Sequence, residues 1–247
     1  MTTKRNITDY NDTEYEADFW GSRQYEDLVE KDVLQKFLAD SYDNFLDLGA
    51  GFGRLAPVYK DRSQKATLLD YSDKLLASAK EKLGKNKNLS FVQGSFYELP
   101  FDNETFDGGC SVRVMHHVED PDTYFKELNR VLKKDAEFIL EVANKRNWLE
   151  IIRKLLGKKD ALNPFTRTPE NRSIKGLTYN FHPIYISEKL SQHGFIVVAK
   201  VDSSLLRSPL LKKVVGQSRL ASVEKLIPFW MRKTAYTPSL FLKIKKI

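Results

Sequence analysis

The stretch Asp47-Leu48-Gly49-Ala50-Gly51-Phe52-Gly53-Arg54 decides the reading of this chain. An apolar run, Asn44-Phe45-Leu46-Asp47-Leu48, enters three alternating glycines where a strand should hand over to a helix. Without a Cβ the backbone there can turn sharply, and a ligand can approach the main chain closely. A tight turn with no ligand makes the same demand, so the loop needs support from spacing. Asp70 ends the next apolar run, Ala66-Thr67-Leu68-Leu69, 21 residues beyond Gly49. At that separation a carboxylate can accept hydrogen bonds from both hydroxyls of an adenosine ribose. Gln93-Gly94-Ser95-Phe96 closes a third strand on the same rim, the carboxyl ends of the strands, where open α/β sheets bind ligands.

Strand and helix alternate outward from this point. Ahead of it, residues 22–39 place Tyr25, Leu28, Val29, Val33, Leu34, Phe37 and Leu38 at helical spacing. Ser72 reads as the N-cap of a helix carrying Leu75, Leu76, Ala79 and Leu83, and Asp120-Pro121 as the start of another. Strands are expected at 89–93, 106–114 and 137–143, then from Phe195, with a last alternating run over 240–247. This rhythm predicts an α/β domain with a largely parallel sheet covered on both faces. It breaks twice, at 145–186 and 205–236, which read as insertions on the core.

The chain has 247 residues, 41% of them hydrophobic, enough to bury a sizeable core. Its net charge of +7 hides a polarity. Residues 1–144 hold 19 basic and 27 acidic side chains, whereas residues 145–247 hold 21 and 6. Cys110, the single cysteine, excludes an intramolecular disulfide and suits a reducing compartment. No stretch approaches the ~20 apolar residues of a membrane span, and the first residues lack a secretory apolar run. A cytoplasmic location, with a peripheral membrane contact as an extension of it, is the expectation.

Residues 44–144 resemble the class I S-adenosylmethionine-dependent methyltransferases, in particular the branch that includes the ubiquinone/menaquinone-type enzymes. The resemblance rests on D-L-G-A-G-F-G at 47–53, L-L-D-Y-S at 68–72, the run from Gly94 to Asp107, S-V-R-V-M-H-H-V-E-D-P at 111–121 and E-L-N-R-V-L-K at 127–133. It implies a Rossmann-like, doubly wound, seven-stranded, mostly parallel sheet with an antiparallel last strand, plus helical insertions in the C-terminal half. It also implies one domain: 1–40 as N-terminal lid and helix, 41–144 as the cofactor-binding core, 145–186 and 205–236 on the acceptor side. The implied cofactor is S-adenosyl-L-methionine, held by Asp47, Gly49, Ala50, Gly51, Gly53, Asp70, Tyr71, Ser95 and Phe96, with Asp70 on ribose and Tyr71 on adenine. Ser95 stands where the family usually has Asp, so the adenine amine would meet a hydroxyl in place of a carboxylate. The turn Lys133-Lys134-Asp135-Ala136 replaces the family's usual Pro-Gly-Gly.

A nicotinamide or flavin site would need Gly-x-Gly-x-x-Gly, and Arg54 occupies the last glycine position. Methyl transfer from a sulfonium is an in-line displacement in which the donor carries the activation, so a base is needed only where the nucleophile must lose a proton. His117 and His116 follow the fourth strand and are candidates for that base; packing at the helix start is the competing role. Adjacent ring nitrogens on a strand end point apart, and no Cys or further His cluster accompanies them, so a metal site is not expected from this pair. Arg113 is placed either on the methionine carboxylate or in a structural ion pair. His182, in Tyr179-Asn180-Phe181-His182-Pro183, is a second base candidate or part of a lid. Tyr15, Phe19, Trp20, Arg23 and Tyr25 form a candidate N-terminal lid, or a staple for the first helix.

In the basic half, Trp148, Ile151, Ile152 and Leu155 share a helical face beside Arg153, Lys154, Lys158 and Lys159. Residues 205–233 repeat the theme with Leu210, Leu211, Val214, Val215, Ile227, Phe229 and Trp230 among lysines and arginines. Either these faces pack over the sheet edge, or they are basic amphipathic segments for an anionic membrane surface. The methyl acceptor is accordingly read as a small molecule or a lipid-like compound. RNA, such as a tRNA base, is the runner-up, and a non-catalytic cofactor-binding protein a third reading. The oligomeric state is left open.

Overall fold

Strands with apolar residues at successive positions need cover on both faces, and Leu46, Leu48, Leu68, Leu69, Phe138 and Leu140 all lie buried in the central strands. The computed structural model describes residues 20–171 and 178–247. In chain order its elements are α1 (Gln24–Phe37), β1 (Tyr42–Leu48), α2 (Ala56–Tyr59), β2 (Ser63–Asp70), α3 (Asp73–Leu83), β3 (Leu89–Gln93), β4 (Phe106–Ser111), α4 (Pro121–Val131) and β5 (Leu132–Ala143). Then come α5 (Trp148–Leu155), β6 (Glu170–Asn171), β7 (Tyr179–Asn180), α6 (Pro183–Gln192), β8 (Phe195–Ser203), α7 (Pro209–Val215), α8 (Gln217–Leu226) and β9 (Ser239–Lys246).

Seven strands form one sheet in the order β3-β2-β1-β4-β5-β9-β8. Its first five strands pair in parallel, and β9 runs antiparallel to both β5 and β8. The seven-stranded, mostly parallel sheet with an antiparallel last strand is therefore present. Connections leave β1 toward β2 on one side, and β4 pairs on the other. This reversal opens a crevice at the carboxyl ends of β1 and β4, the place where such sheets take ligands.

Local chemistry explains the helix starts. The Ser72 hydroxyl accepts from the Leu75 N–H at 3.2 Å, and Asp120 accepts from the Thr123 N–H at 3.1 Å with Pro121 in the first turn of α4. Two elements depart from expectation. β4 ends at Ser111 and not at Val114, because Arg113 turns into the left-handed region at φ 65°. β5 begins at Leu132, directly after α4, and Asp135 adopts φ 65°, a conformation that a glycine would take without strain.

α1 joins the core to the second insertion. Val33, Leu34 and Phe37 pack on the sheet, while Tyr25 and Val29 pack against Leu220 and Ala221 of α8. The Tyr25 hydroxyl donates to Glu224 and accepts from the Leu206 N–H at 2.9 Å; Arg232 reaches the same Glu224 at 3.1 Å. The Tyr25 ring is thus a structural anchor for the insertion and not a cover for the crevice.

Space in the middle of the sheet is tight. A Cβ on Gly109 would lie 2.4 Å from the Leu46 carbonyl oxygen and 2.6 Å from the Phe138 ring. Gly109→Ala is expected to lower stability by about 3 kcal/mol through overpacking. Urea unfolding of the purified variant checks this, and an unchanged midpoint would contradict the packing described.

Candidate active site

The carboxyl ends of β1 and β2 and the segment after β4 enclose a cleft of about 770 Å³, lined among others by Gly49, Gly51, Asp70, Tyr71, Phe96 and Arg113. The glycine loop forms its floor. Gly49 and Ala50 donate their N–H groups to the Leu69 carbonyl at 2.8 and 3.0 Å, which pins the loop to β2. Gly49, Gly51 and Gly53 all have positive φ, and a Cβ on Gly49 would sit 2.2 Å from the Val114 side chain. Glycine is therefore required there by both conformation and space.

Asp70 stands at the rim. One carboxylate oxygen accepts from the Gly51 N–H at 2.7 Å, the other from the Ser72 N–H at 2.9 Å. These bonds orient the carboxylate at the rim. Tyr71 is 41% exposed beside it, and Phe96 is buried edge-on against Tyr97 and Tyr124.

The opposite wall is cationic and was only half visible in sequence. Arg113 donates from Nε to Glu30 at 2.8 Å, and Arg54 donates to the other Glu30 oxygen at 2.7 Å and to Asp27 at 2.8 Å. Glu30 is fully buried, and its charge with that of Glu141 holds the Arg113 guanidinium above its ordinary range, against the effect of burial. Trp20 lies over Arg54 at 3.8 Å from the ring centre, so this part of the leader does cover the cleft. Tyr15 and Phe19 lie outside the described residues. Arg54, Glu30 and Trp20 converge from distant segments, and periodicity carries no sign of that.

Asp47 and Ser95 sit elsewhere than the resemblance implied. The Asp47 carboxylate is buried behind the loop, accepting from the Tyr59 hydroxyl at 2.7 Å and the Cys110 thiol at 3.5 Å. Burial pushes its pKa up to about 6. The Ser95 hydroxyl accepts from the Tyr97 N–H at 3.1 Å and holds the turn after β3; Gly94 and Phe96, not Ser95, line the cleft. His182 caps α6, its Nδ1 accepting from the Ile184 N–H at 3.2 Å, and it lines neither this cleft nor the cavity beside it. His-Pro at a helix start is the local signal that marks this capping role.

That neighbouring cavity, of about 1290 Å³, is lined by His116, His117, Arg113, Glu141, Glu150 and Arg207 among others. Arg113 and His117 border both spaces. The two imidazoles lie 3.9 Å apart between ring centres. Burial, reinforced by the charges of His117, Arg113 and Arg23, keeps His116 well below the usual imidazole range, so it is neutral near pH 7. Glu141 accepts from the Arg113 N–H at 3.1 Å and from Ser239 at 2.6 Å, which steadies the strained backbone at Arg113.

A rim carboxylate, an open aromatic face and guanidinium groups beside a glycine floor offer partners for each part of a nucleoside joined to an amino acid. The comparisons agree with this chemistry. Residues 46–140 match the family model described as Methyltransferase domain. The uncharacterized protein MJ1252 of Methanocaldococcus jannaschii is 29% identical over 220 residues, covering 85% of this chain and 83% of that protein. The ubiquinone/menaquinone biosynthesis C-methyltransferase UbiE of Agrobacterium fabrum is 32% identical over 119 residues, 44% of this chain and 46% of the enzyme. In fold, a SAM-dependent methyltransferase structure from Thermotoga maritima superposes with a TM-score of 0.64 over 95% of both chains at 19% identity. Residues 46–140 thus carry a methyltransferase domain, on the fold shared with solved SAM-dependent methyltransferases. The chain spans less than half the length of the UbiE relative it matches.

Because folding raises the Asp47 pKa to about 6, the folded chain binds this proton more tightly than the unfolded chain does. Its stability should fall as pH rises from about 4 to about 6, by up to roughly 3 kcal/mol for this one group. Asp47→Asn should remove that share of the decline. Urea unfolding of both proteins across this range tests it; identical slopes would be the contrary result.

Proposed function

We propose that this chain transfers the methyl group of S-adenosylmethionine to a polar nucleophile seated in the second cavity, on a small or lipid-like acceptor met at an anionic membrane surface. One observation carries the reading: Arg113 and His117 border both the cofactor cleft and the second cavity, so donor and acceptor spaces meet at these two side chains. The bound cofactor supplies an electrophilic methyl group with a thioether leaving group. In this reading Asp70 takes the ribose hydroxyls, Tyr71 the adenine face, and Arg113 with Arg54 the methionine carboxylate. The protein then has to align the nucleophile and exclude water, and the buried walls of both cavities suit that task. His117 is the group placed to take a proton from the nucleophile, with neutral His116 beside it.

The membrane surface is supported by two helices that are turned inside out. α5 buries only Glu150, while Trp148, Ile152 and Leu155 are 51%, 45% and 73% exposed. α7 buries none of its residues, and Leu210 and Val214 are 69% and 74% exposed. Lys154, Lys158, Lys159 and Lys213 are exposed beside them and form no ion pair among the described residues. Apolar side chains among uncompensated lysines match an anionic lipid interface. No helix among the described residues is long and apolar enough to cross a membrane.

Titration calorimetry with S-adenosylmethionine is expected to show binding by the wild type, weakened at least about tenfold in Gly51→Arg and Asp70→Ala. Absence of binding, or equal binding by the variants, would overturn the cofactor assignments. Co-sedimentation should retain the chain on phosphatidylglycerol vesicles but not on phosphatidylcholine ones, with retention lost in Leu155→Glu/Val214→Glu. Equal behaviour on both vesicles would remove the membrane from the account.

A further inference from the structure

The second cavity continues outward into a groove of about 470 Å³ lined by Ser22, Arg23, Glu26, Arg207, Pro209 and Lys212. Arg23 and Arg207 line both spaces and so stand at their junction. Three cations and one carboxylate thus mark the way in. Glu26 is buried, and both of its oxygens accept from the Lys212 ammonium, at 2.6 and 2.7 Å. Arg207 approaches the same carboxylate through Nε, at 3.2 Å. Among the described residues nothing hydrogen-bonds its two terminal nitrogens. Burial and then the charge of Arg113 push the Arg207 guanidinium below its ordinary range, the sign of a cation with too little negative charge around it.

A guanidinium with its terminal pair uncommitted presents the fork of N–H donors that matches a carboxylate or a phosphate. Arg113, deeper in the same cavity, donates from Nε and one terminal nitrogen to Glu30, and what remains of its fork faces the cofactor cleft in the reading above. Glu26, Glu30 and Glu141 offset part of the Arg207 charge without reversing the shift, and none of them hydrogen-bonds its terminal nitrogens. Glu141 is engaged by the Arg113 N–H and Ser239, and Glu150 accepts from the Leu162 N–H at 3.0 Å.

We propose that Arg207, with Arg23 and Lys212, binds an anionic oxygen group of the methyl acceptor, a phosphate or a carboxylate, at the mouth of the second cavity. The anchored acceptor then extends inward toward His117 and the cofactor cleft. This deepens the reading of the second cavity as the acceptor site and rests on it. The mouth also lies next to the exposed helices: Leu149 of α5 lines the cavity, and Pro209 and Lys212 of α7 line the groove. The anionic group can therefore belong to a lipid headgroup or to a free metabolite.

Calorimetry of the full chain with inorganic phosphate as the probe tests the site. The wild type should bind phosphate, and Arg207→Gln should weaken that binding at least about tenfold. S-adenosylmethionine affinity, which involves neither Arg207 nor Lys212, serves as the control for folding. Should Arg207→Gln fail to fold, Lys212→Gln is measured in its place, with a smaller but definite loss expected. A lipid source predicts that Arg207→Gln also loses retention on phosphatidylglycerol vesicles; a soluble source predicts loss of phosphate binding with vesicle retention unchanged. Phosphate binding that depends on Arg207 in a chain that ignores S-adenosylmethionine would support the subsite while removing the methyltransferase reading. No phosphate binding by the wild type, or equal binding by folded variants, would overturn the proposal.

Discussion

Glu30 is a fully buried carboxylate held between two guanidinium groups, and the cofactor cleft is built around that contact. A charge in such a position is tolerable only when its partners are in place, since removing one partner of a buried pair costs about 3–5 kcal/mol. The three partners come from different elements. Glu30 belongs to α1, Arg54 follows the glycine loop, and Arg113 follows β4 in a left-handed conformation. None can settle without the others, so the contact fixes the helix, the loop and the strand exit as a unit. The cleft wall is then positioned before any ligand arrives.

The same helix carries the constraint outward. Its first turn is tied to α8 through Tyr25 and Glu224 and to α7 through Glu26 and Lys212. This gives the charge asymmetry a structural content. Part of the basic half neutralises the acidic half within the molecule, as in Lys243 with Glu137 at 2.6 Å and Lys245 with Asp135 at 2.8 Å. Of the remainder, Lys154 and Lys213 stand exposed on α5 and α7 beside apolar side chains. What looked like one property of the C-terminal half is therefore two: ion pairing, at β9 and within the insertions, and lysines on and beside α5 and α7 that form no ion pair among the described residues.

Much of this was legible in the sequence, and the parts that were not share a cause. The glycine loop, Asp70, the Ser72 cap and the Asp120-Pro121 start are local patterns, each set by neighbours within a few residues. Glu30 meets Arg54 and Arg113 across 24 and 83 residues, and no local pattern announces such a pairing. Resemblance and position put Ser95 and His182 in the site, whereas in the fold the Ser95 hydroxyl and the His182 Nδ1 each accept from a main-chain N–H two residues on. That is a local role which Ser in a turn and His before Pro should have suggested. Amphipathic spacing identified α5 but not its orientation, because packing on the sheet and facing outward demand the same periodicity. Only burial, with Glu150 inside and Leu155 outside, distinguishes them.

Comparing S-adenosylmethionine binding by the wild type and by Glu30→Gln, with thermal unfolding of both measured alongside, is the most direct test of the cleft as described. The amide keeps the shape of the side chain but removes the charge that engages Arg54 and Arg113. The account predicts a folded variant, less stable by about 3 kcal/mol, that binds the cofactor at least about tenfold more weakly. A variant with wild-type affinity and wild-type melting would contradict it.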